Sequence, residues 1–330
     1  MAKRRASRLD SRSPSLPEVL PAQLADAADL WGAVTAVYGE RATEVAHGMR
    51  APGPELCFWV NPLHPKHGRF EPPGKRLALP ASWYAGGGQA VFAAPREFTH
   101  EALAGSGMVW IQNLASMFVV TQLGVQANEE ILDLAAAPGG KTLAIAAAMG
   151  GAGRLAAVEP IKNRFHRMQA NFARCGVEVA CYQRDGRGVG KATPERFDRV
   201  LLDAPCSSQA RMRWSAPASF AHWRRGKVKE MQRKQKSLLR SAYAALKPGG
   251  VLVYSTCSFA PEENELVVAH LLRKTTAQIL PLQDHGFEMV PGLSVFAGKA
   301  LPSILSQTGH LLPSELVDGF YVARIAKPAS

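Results

Sequence analysis

From residue 107 onward, short apolar runs alternate with longer stretches in which apolar residues recur every three or four positions. Ile131–Leu134, Arg154–Glu159, Val179–Tyr182, Arg199–Asp203 and Val251–Ser255 have the length and composition of buried strands. Between them the spacing predicts helices over 116–123, 142–149, 161–175 and 227–246. In the last, Val228, Met231, Gln235, Leu238, Ala242 and Ala245 share one face, and Lys247–Gly250 stops it. Strands alternating with helices predict a parallel sheet covered on both faces, so the fold class is α/β, of the Rossmann-like kind. Before residue 107 the texture differs. Helical spacing runs from Leu24 to His47, and Glu55–Val60 reads as a buried strand ended by Asn61 and Pro62. Residues 62–98 hold many Pro and Gly, including Gly86–Gly88, and suit a small α+β unit with long loops. Residues 1–22 carry Lys3, Arg4, Arg5, Arg8 and Arg12 among Ser and Pro, which predicts a disordered basic tail with some likeness to a transit peptide. The expected division is therefore a tail over 1–22, a small α+β domain over 23–100 and a Rossmann-like domain over 101–330.

Composition narrows the class. Apolar residues make up 47% of the chain, enough for a buried core. No apolar run approaches the roughly 20 residues needed to span a bilayer. The five cysteines, Cys57, Cys175, Cys181, Cys206 and Cys257, are an odd number with no CxxC pair. That argues against a disulfide framework and a metal site, and for a reducing, cytoplasmic setting. The net charge of +12 and pI near 9.7 favour a polyanionic partner such as nucleic acid.

Two constellations carry candidate chemistry. The segment Asp133–Thr142 joins a strand to a helix and contains Pro138, Gly139, Gly140 and Lys141. Ligands of such sheets bind beyond the carboxyl ends of the strands. The two glycines are expected to let backbone approach a ligand, with the helix N-terminus behind them. Glu159 ends the next strand and suits ribose hydroxyls, and Asp185 follows the third strand, placed for an adenine edge. The competing reading is a P-loop nucleotide triphosphatase, whose motif lacks here only its first glycine, with Ala135 in that place and Asp203 as the magnesium-binding acid. That reading leaves Glu159 and Cys257 without a role.

The second constellation is Cys206, just past the fourth strand, and Cys257, just past the fifth. Both emerge at one sheet edge beside the glycine turn. Carbon 5 of cytosine is a poor nucleophile. A thiolate added to carbon 6 makes it enamine-like and able to accept a methyl group from a sulfonium. A second thiol can assist release, and Asp203 can hold the amino group and N3 of the base. Packing is the expected role of Cys57, Cys175 and Cys181.

At these residues the chain resembles the Nol1/Nop2/Sun family of RNA cytosine-5 methyltransferases, from about Glu55 to Lys327. The marks are Val60 with Asn61, Gln112 with Ser116 and Met117, Ala136–Thr142, Asp203–Ser207, Lys247–Gly250, Tyr254–Ser258, Glu263–Glu265 and Asp318–Arg324. The resemblance implies a class I S-adenosylmethionine-dependent methyltransferase with a small RNA-binding domain before it. It implies that Cys257 attacks the base, Cys206 helps release the product and Asp203 contacts the target. Ala135, Ala136, Ala137, Pro138, Gly139, Gly140, Lys141, Glu159, Arg164, Asp185 and Asp203 would line the cofactor site. The chain departs from the family at Ser207–Arg213, which lacks the usual glycines, at Trp59 in place of Arg, at Asn113 in place of an acid, and at Glu159 where Asp is commoner.

Arg211, Arg213, Arg224, Arg225 and Lys227 stand in a basic stretch with Trp214 and Trp223 interleaved, which suits phosphate contact and base stacking. A solvated helix face with core tryptophans is the plainer reading. The expected substrate is ribosomal RNA of the small subunit, with transfer RNA second, acted on by a monomer. No additional module is expected after Lys327. Two other functions remain open: a DNA cytosine-5 methyltransferase using Cys206 as nucleophile, and a non-catalytic RNA-binding assembly factor.

Overall fold

The computed structural model describes residues 27–49, 57–79, 90–93, 105–221, 223–283, 286–314 and 317–329. The basic tail and Gly86–Gly88 lie outside them. Strands β1 (Cys57–Val60), β2 (Lys75–Arg76), β3 (Val91–Ala93) and β4 (Val109–Ile111) form a small antiparallel sheet in the order β2-β3-β1-β4. The main sheet contains β5 (Glu130–Asp133), β6 (Arg154–Val158), β7 (Ala180–Tyr182), β8 (Phe197–Asp203) and β9 (Leu246–Thr256), all parallel, in the order β7-β6-β5-β8-β9. Beyond β9 the sheet continues antiparallel. Strand β10 (Gln278–Leu280) pairs with β15 (Phe320–Ala326), which lies between β9 and β14 (Gly309–Leu311), and β11 (Met289–Pro291) closes that edge, while β12 (Val295–Phe296) and β13 (Lys299–Ala300) pair as a separate hairpin. Four of the parallel strands match the sequence prediction to within two residues at their ends, while β9 begins at Leu246, five residues early, and takes in the Lys247–Gly250 segment expected as a helix stop. The antiparallel extension was not predicted, because its strands are short and separated by loops rather than helices.

Each central strand buries both faces by alternation. Ile131, Leu201 and Val253 enter one core with the helices Leu114–Thr121, Gly140–Ala148 and Lys162–Cys175. Leu132, Leu202 and Tyr254 enter the other with Arg225–Ala245 and Glu265–Leu272. The result is a three-layer Rossmann-like fold. The chain runs outward from β5 through β6 to β7, then returns to β8 on the opposite side of β5. The crevice at this reversal lies between the carboxyl ends of β5 and β8, where ligands of such sheets bind.

The small unit differs from its expected outline. Its sheet reaches Ile111, past residue 100, because β4 pairs with β1. The helices Ala27–Tyr38 and Ala42–Gly48 are fastened to the large body instead. The Tyr38 hydroxyl donates to Leu311 O at 3.0 Å, and Ala46 O accepts from the Trp214 indole at 3.0 Å. Their apolar faces join the core that holds Phe259 and Leu311. Among the described residues no helix is long and apolar enough to cross a membrane, and no cluster of side chains could hold a metal ion.

Candidate active site

A cleft of about 450 Å³ opens at the topological reversal. Its wall includes Ala135 to Pro138, Gly140 and Lys141 from the glycine turn, with Glu159, Arg164, Asp185, Asp203, Cys206, Arg211 and Cys257. One crevice thus holds both predicted constellations. Gly139 is the exception. It takes φ +108°, and a Cβ there would stand 2.6 Å from the Phe172 ring; one on Gly140 would stand 2.7 Å from Trp110 Nε1. These glycines let a helix and an indole pack against the turn. Gly140 lines the cleft, and Gly139 lies outside its wall.

Several polar groups of the turn are committed within the protein. Ala136 N donates to Val158 O at 2.9 Å and Gly139 N to Ala136 O at 2.7 Å. Lys141 Nζ turns to Asp203 at 2.7 Å and to Ser116 Oγ at 3.0 Å. The Thr142 hydroxyl, fully buried, donates to Asp133 at 2.7 Å. A phosphate cradle needs free backbone N–H groups, a lysine aimed at the anion and a hydroxyl for magnesium. Here the lysine is spent on Asp203 and the hydroxyl on Asp133, so the P-loop reading fails on geometry. Burial also pushes the Asp133 carboxyl up to about 6, with the Thr142 hydroxyl bond opposing it.

The wall suits a nucleoside bearing a positive sulfonium. Glu159 is 1% exposed. One of its oxygens accepts from Ile161 N at 2.9 Å and the other faces Arg164 at 3.4 Å. Arg164 also donates to Ala137 O at 2.8 Å, tying the acid to the turn. Asp185 is engaged by Arg187 through its backbone N–H and guanidinium, which hold its carboxyl below the usual range against the pull of burial. Each of these carboxylates around the crevice has a basic partner: Glu159 has Arg164, Asp185 has Arg187 and Asp203 has Lys141.

At the other end of the cleft, Cys206 Sγ and Cys257 Sγ lie 3.2 Å apart as free thiols. Each follows its strand, β8 or β9, at the same sheet edge. The Cys257 thiol is held below its ordinary range, first by the hydrogen bond from Cys206 and then by the Arg211 charge, against burial. Cys206 is raised well above that range, because of its hydrogen bond with Cys257 and its burial. The pair therefore contains one nucleophile and one proton holder. Asp203 accepts from Lys141 on one oxygen and from Ser255 Oγ at 2.8 Å on the other. Cys175 and Cys181 lie apart from this pair, both raised by burial.

Of the predicted RNA contacts, Arg211 is exposed on the cleft wall, and its charge acts on Cys257. Arg224 and Arg225 are exposed at the start of the long helix, where Arg225 pairs with Asp29; Lys227 pairs with Glu230 at 3.1 Å. Arg213 is a correction. Its guanidinium is 15% exposed, paired with Asp318 and donating to Ala210 O and Met212 O at 2.9 Å each. The tryptophans are a second. Trp223 is 7% exposed, and Trp214 packs edge-on to Phe220 with its N–H on Ala46. Neither offers an open ring for stacking.

The departures from the family pattern have local roles. Trp59 donates to the Gln112 side chain at 2.9 Å, while Gln112 lines the cleft. Asn113 caps the helix Leu114–Thr121 by accepting from Ala115 N at 2.8 Å, and donates to Asp318 at 3.0 Å. Ser208 takes φ +59°, a left-handed conformation that glycine adopts without strain. Sequence reasoning missed the polar groups behind the thiols: Ser207, Gln209, Gln235 and Ser258 converge on Glu263 or on each other. The acid at 263 was visible only as part of a family mark.

A parallel Rossmann-like sheet with an acid-lined crevice and paired strand-end thiols defines a fold of the class I methyltransferase type. The chain belongs to the family 16S rRNA methyltransferase RsmB/F, which matches residues 120–326. It is 43% identical over 230 residues to a ribosomal RNA small subunit methyltransferase F of Vibrio vulnificus (strain YJ016), covering 68% of this chain and 46% of the relative. The protein of the same description from Klebsiella pneumoniae (strain 342) is 40% identical over 244 residues, covering 72% and 48%. The chain thus spans about half the length of the curated relatives it matches. A solved structure described as a methyltransferase homolog protein from Pyrococcus horikoshii superposes with a TM-score of 0.72 at 30% identity, covering 91% of this chain and 94% of that one.

Proposed function

We propose that this protein is an S-adenosylmethionine-dependent RNA (cytosine-5-)-methyltransferase acting on small-subunit ribosomal RNA, as a monomer in the cytoplasm. The observation that carries the reading is the thiol pair in the acid-lined cleft, 3.2 Å between sulfurs, with the nucleophilic character on Cys257. S-adenosylmethionine, when bound along Ala135–Pro138, Glu159 and Asp185, supplies the methyl group.

The chain's own residues do the rest. The Cys257 thiolate adds to carbon 6 of the cytosine, and the electron pair of the 5,6 double bond moves to carbon 5. Asp203, fixed by Lys141 and Ser255, accepts from the amino group of the base and holds the ring against Cys257. Arg211 stabilises the thiolate before attack and after release. Once carbon 5 carries the methyl group its proton passes to water, the freed electron pair re-forms the 5,6 double bond, the carbon–sulfur bond breaks and the sulfur regains its electron pair. Cys206 assists this release from its place beside the leaving sulfur. A DNA enzyme of the other kind would use Cys206 as nucleophile, whereas here the lowered thiol is Cys257 and the raised one Cys206. Arg211, with Arg224 and Arg225 at the helix start, supplies phosphate contacts, and the small sheet serves as an accessory RNA-binding unit.

The test is methyl transfer from labelled S-adenosylmethionine to ribosomal RNA, assembling small subunits, transfer RNA and DNA, with product located by bisulfite sequencing. The account expects 5-methylcytosine in small-subunit RNA and none with Cys257→Ala. Label on DNA alone, or no transfer by the intact chain to any of these, overturns it.

A further inference from the structure

Glu263 is fully buried, and among the described residues no basic side chain pairs with it. A carboxylate buried without a counter-ion is destabilising unless its hydrogen bonds are complete. Here they are supplied by the two cysteine loops. One oxygen accepts from Ser207 N at 2.9 Å and from the Gln235 amide at 2.8 Å; the other accepts from the Ser207 and Ser258 hydroxyls, the latter at 2.8 Å. Ser207 follows Cys206, and Ser258 follows Cys257. The same Gln235 amide donates to Pro205 O at 3.0 Å, on the other side of Cys206. Neither loop can shift without breaking a bond to this one side chain.

We propose that Glu263 is the positioning residue that sets the spacing of the two thiols, a role that rests on the paired-thiol reaction proposed above. It touches no reacting atom. It fixes the residue after each cysteine, so that the two sulfurs stay 3.2 Å apart and Cys206 remains within reach of the leaving sulfur. The serine hydroxyls give the linkage direction, and burial makes it stiff, because water cannot replace a broken bond there.

The test reads the thiol without RNA. The rate of Cys257 alkylation by iodoacetamide is followed against pH in the full chain, with the modified residue identified by peptide mass. Cys206→Ala removes the stabilising S–H and is expected to move the profile to higher pH. Glu263→Gln is expected to move it in the same direction; an upward move of one unit slows alkylation below the pKa about tenfold. Mere loss of a negative charge would move it the other way, so the sign separates positioning from electrostatics. Ser258→Ala cuts one link, leaves the acid in place, and should shift the profile upward even if Glu263→Gln fails to fold. A profile identical to the parent's, or shifted to lower pH, in either folded variant overturns the positioning role. A parent chain that transfers no methyl to any RNA overturns the reaction instead, and leaves the alkylation result readable.

Discussion

Asp133→Asn isolates the energetic penalty built into the floor of the cleft. The Asp133 side chain is 1% exposed, and its carboxyl is raised from 3.8 to about 6, with burial as the largest cause. The folded state therefore holds this proton more tightly than the unfolded chain. Stability attributable to the group is complete below the unfolded value, falls as pH rises between the two values, and the loss is full above the folded one. A raise of about two units at 1.36 kcal/mol each is about 3 kcal/mol, of which about 2 falls between roughly pH 4.5 and 7.5. The asparagine variant lacks this titration. It keeps an acceptor for the Thr142 hydroxyl, now 2.7 Å away, and places an amide against the Ala135 N–H contact of 3.4 Å, a loss that does not vary with pH. Urea unfolding of both proteins, followed by far-UV circular dichroism across that range, gives the difference in stability, in which all other titrations cancel. The difference should move toward the variant by about 2 kcal/mol from the acid to the neutral end. A difference flat to within about 0.5 kcal/mol would refute the desolvation argument. The penalty sits where a carboxylate anchors the first turn of the helix behind the ligand crevice, a place where stability is commonly given up for function.

Further outcomes follow from the same geometry. Gly139→Ala should destabilise the protein by about 2–4 kcal/mol through left-handed strain and the Phe172 clash, and adding Phe172→Leu should restore only the clash component in thermal unfolding. Arg213→Ala should lower stability by on the order of 3 kcal/mol, since it removes the cation paired with the largely buried Asp318 and leaves that acid only the Asn113 amide among the described partners, while the salt dependence of RNA binding stays unchanged. Replacing Arg224 and Arg225 together should instead flatten that salt slope by about 2, read in filter binding across salt concentrations. Arg211→Ala should move the acid limb of the pH–rate profile to higher pH, because the charge that lowers the Cys257 thiol is gone; an unmoved limb contradicts that assignment.

What was legible in the sequence was whatever strand periodicity fixes locally. The runs at 131–134, 199–203 and 251–255 are short, apolar and flanked by turns, so their strands, their parallel order and the placement of Cys206 and Cys257 at one edge followed together. The antiparallel strands β10, β11 and β14 are three residues each and carry no period to read. Arg213 and Trp223 look the same in sequence as surface phosphate and base contacts. Only the fold brings Asp318 to the first and closes core around the second. At Gly139 and Gly140 the sequence marks close approach without naming the approaching groups, which within the protein are Phe172 and Trp110. Glu263 was unreadable because its partners come from three separate segments, at 207, 235 and 258.

The most direct measurement is the fate of the Cys206→Ala variant with small-subunit RNA and S-adenosylmethionine, resolved on a denaturing gel and mapped by peptide mass. The account predicts a covalent protein–RNA complex that accumulates, with the base attached to the sulfur of Cys257, and its disappearance when Cys257 is also replaced. Attachment through any other residue, or methylated RNA formed at the parent rate by a chain lacking Cys257, would contradict it.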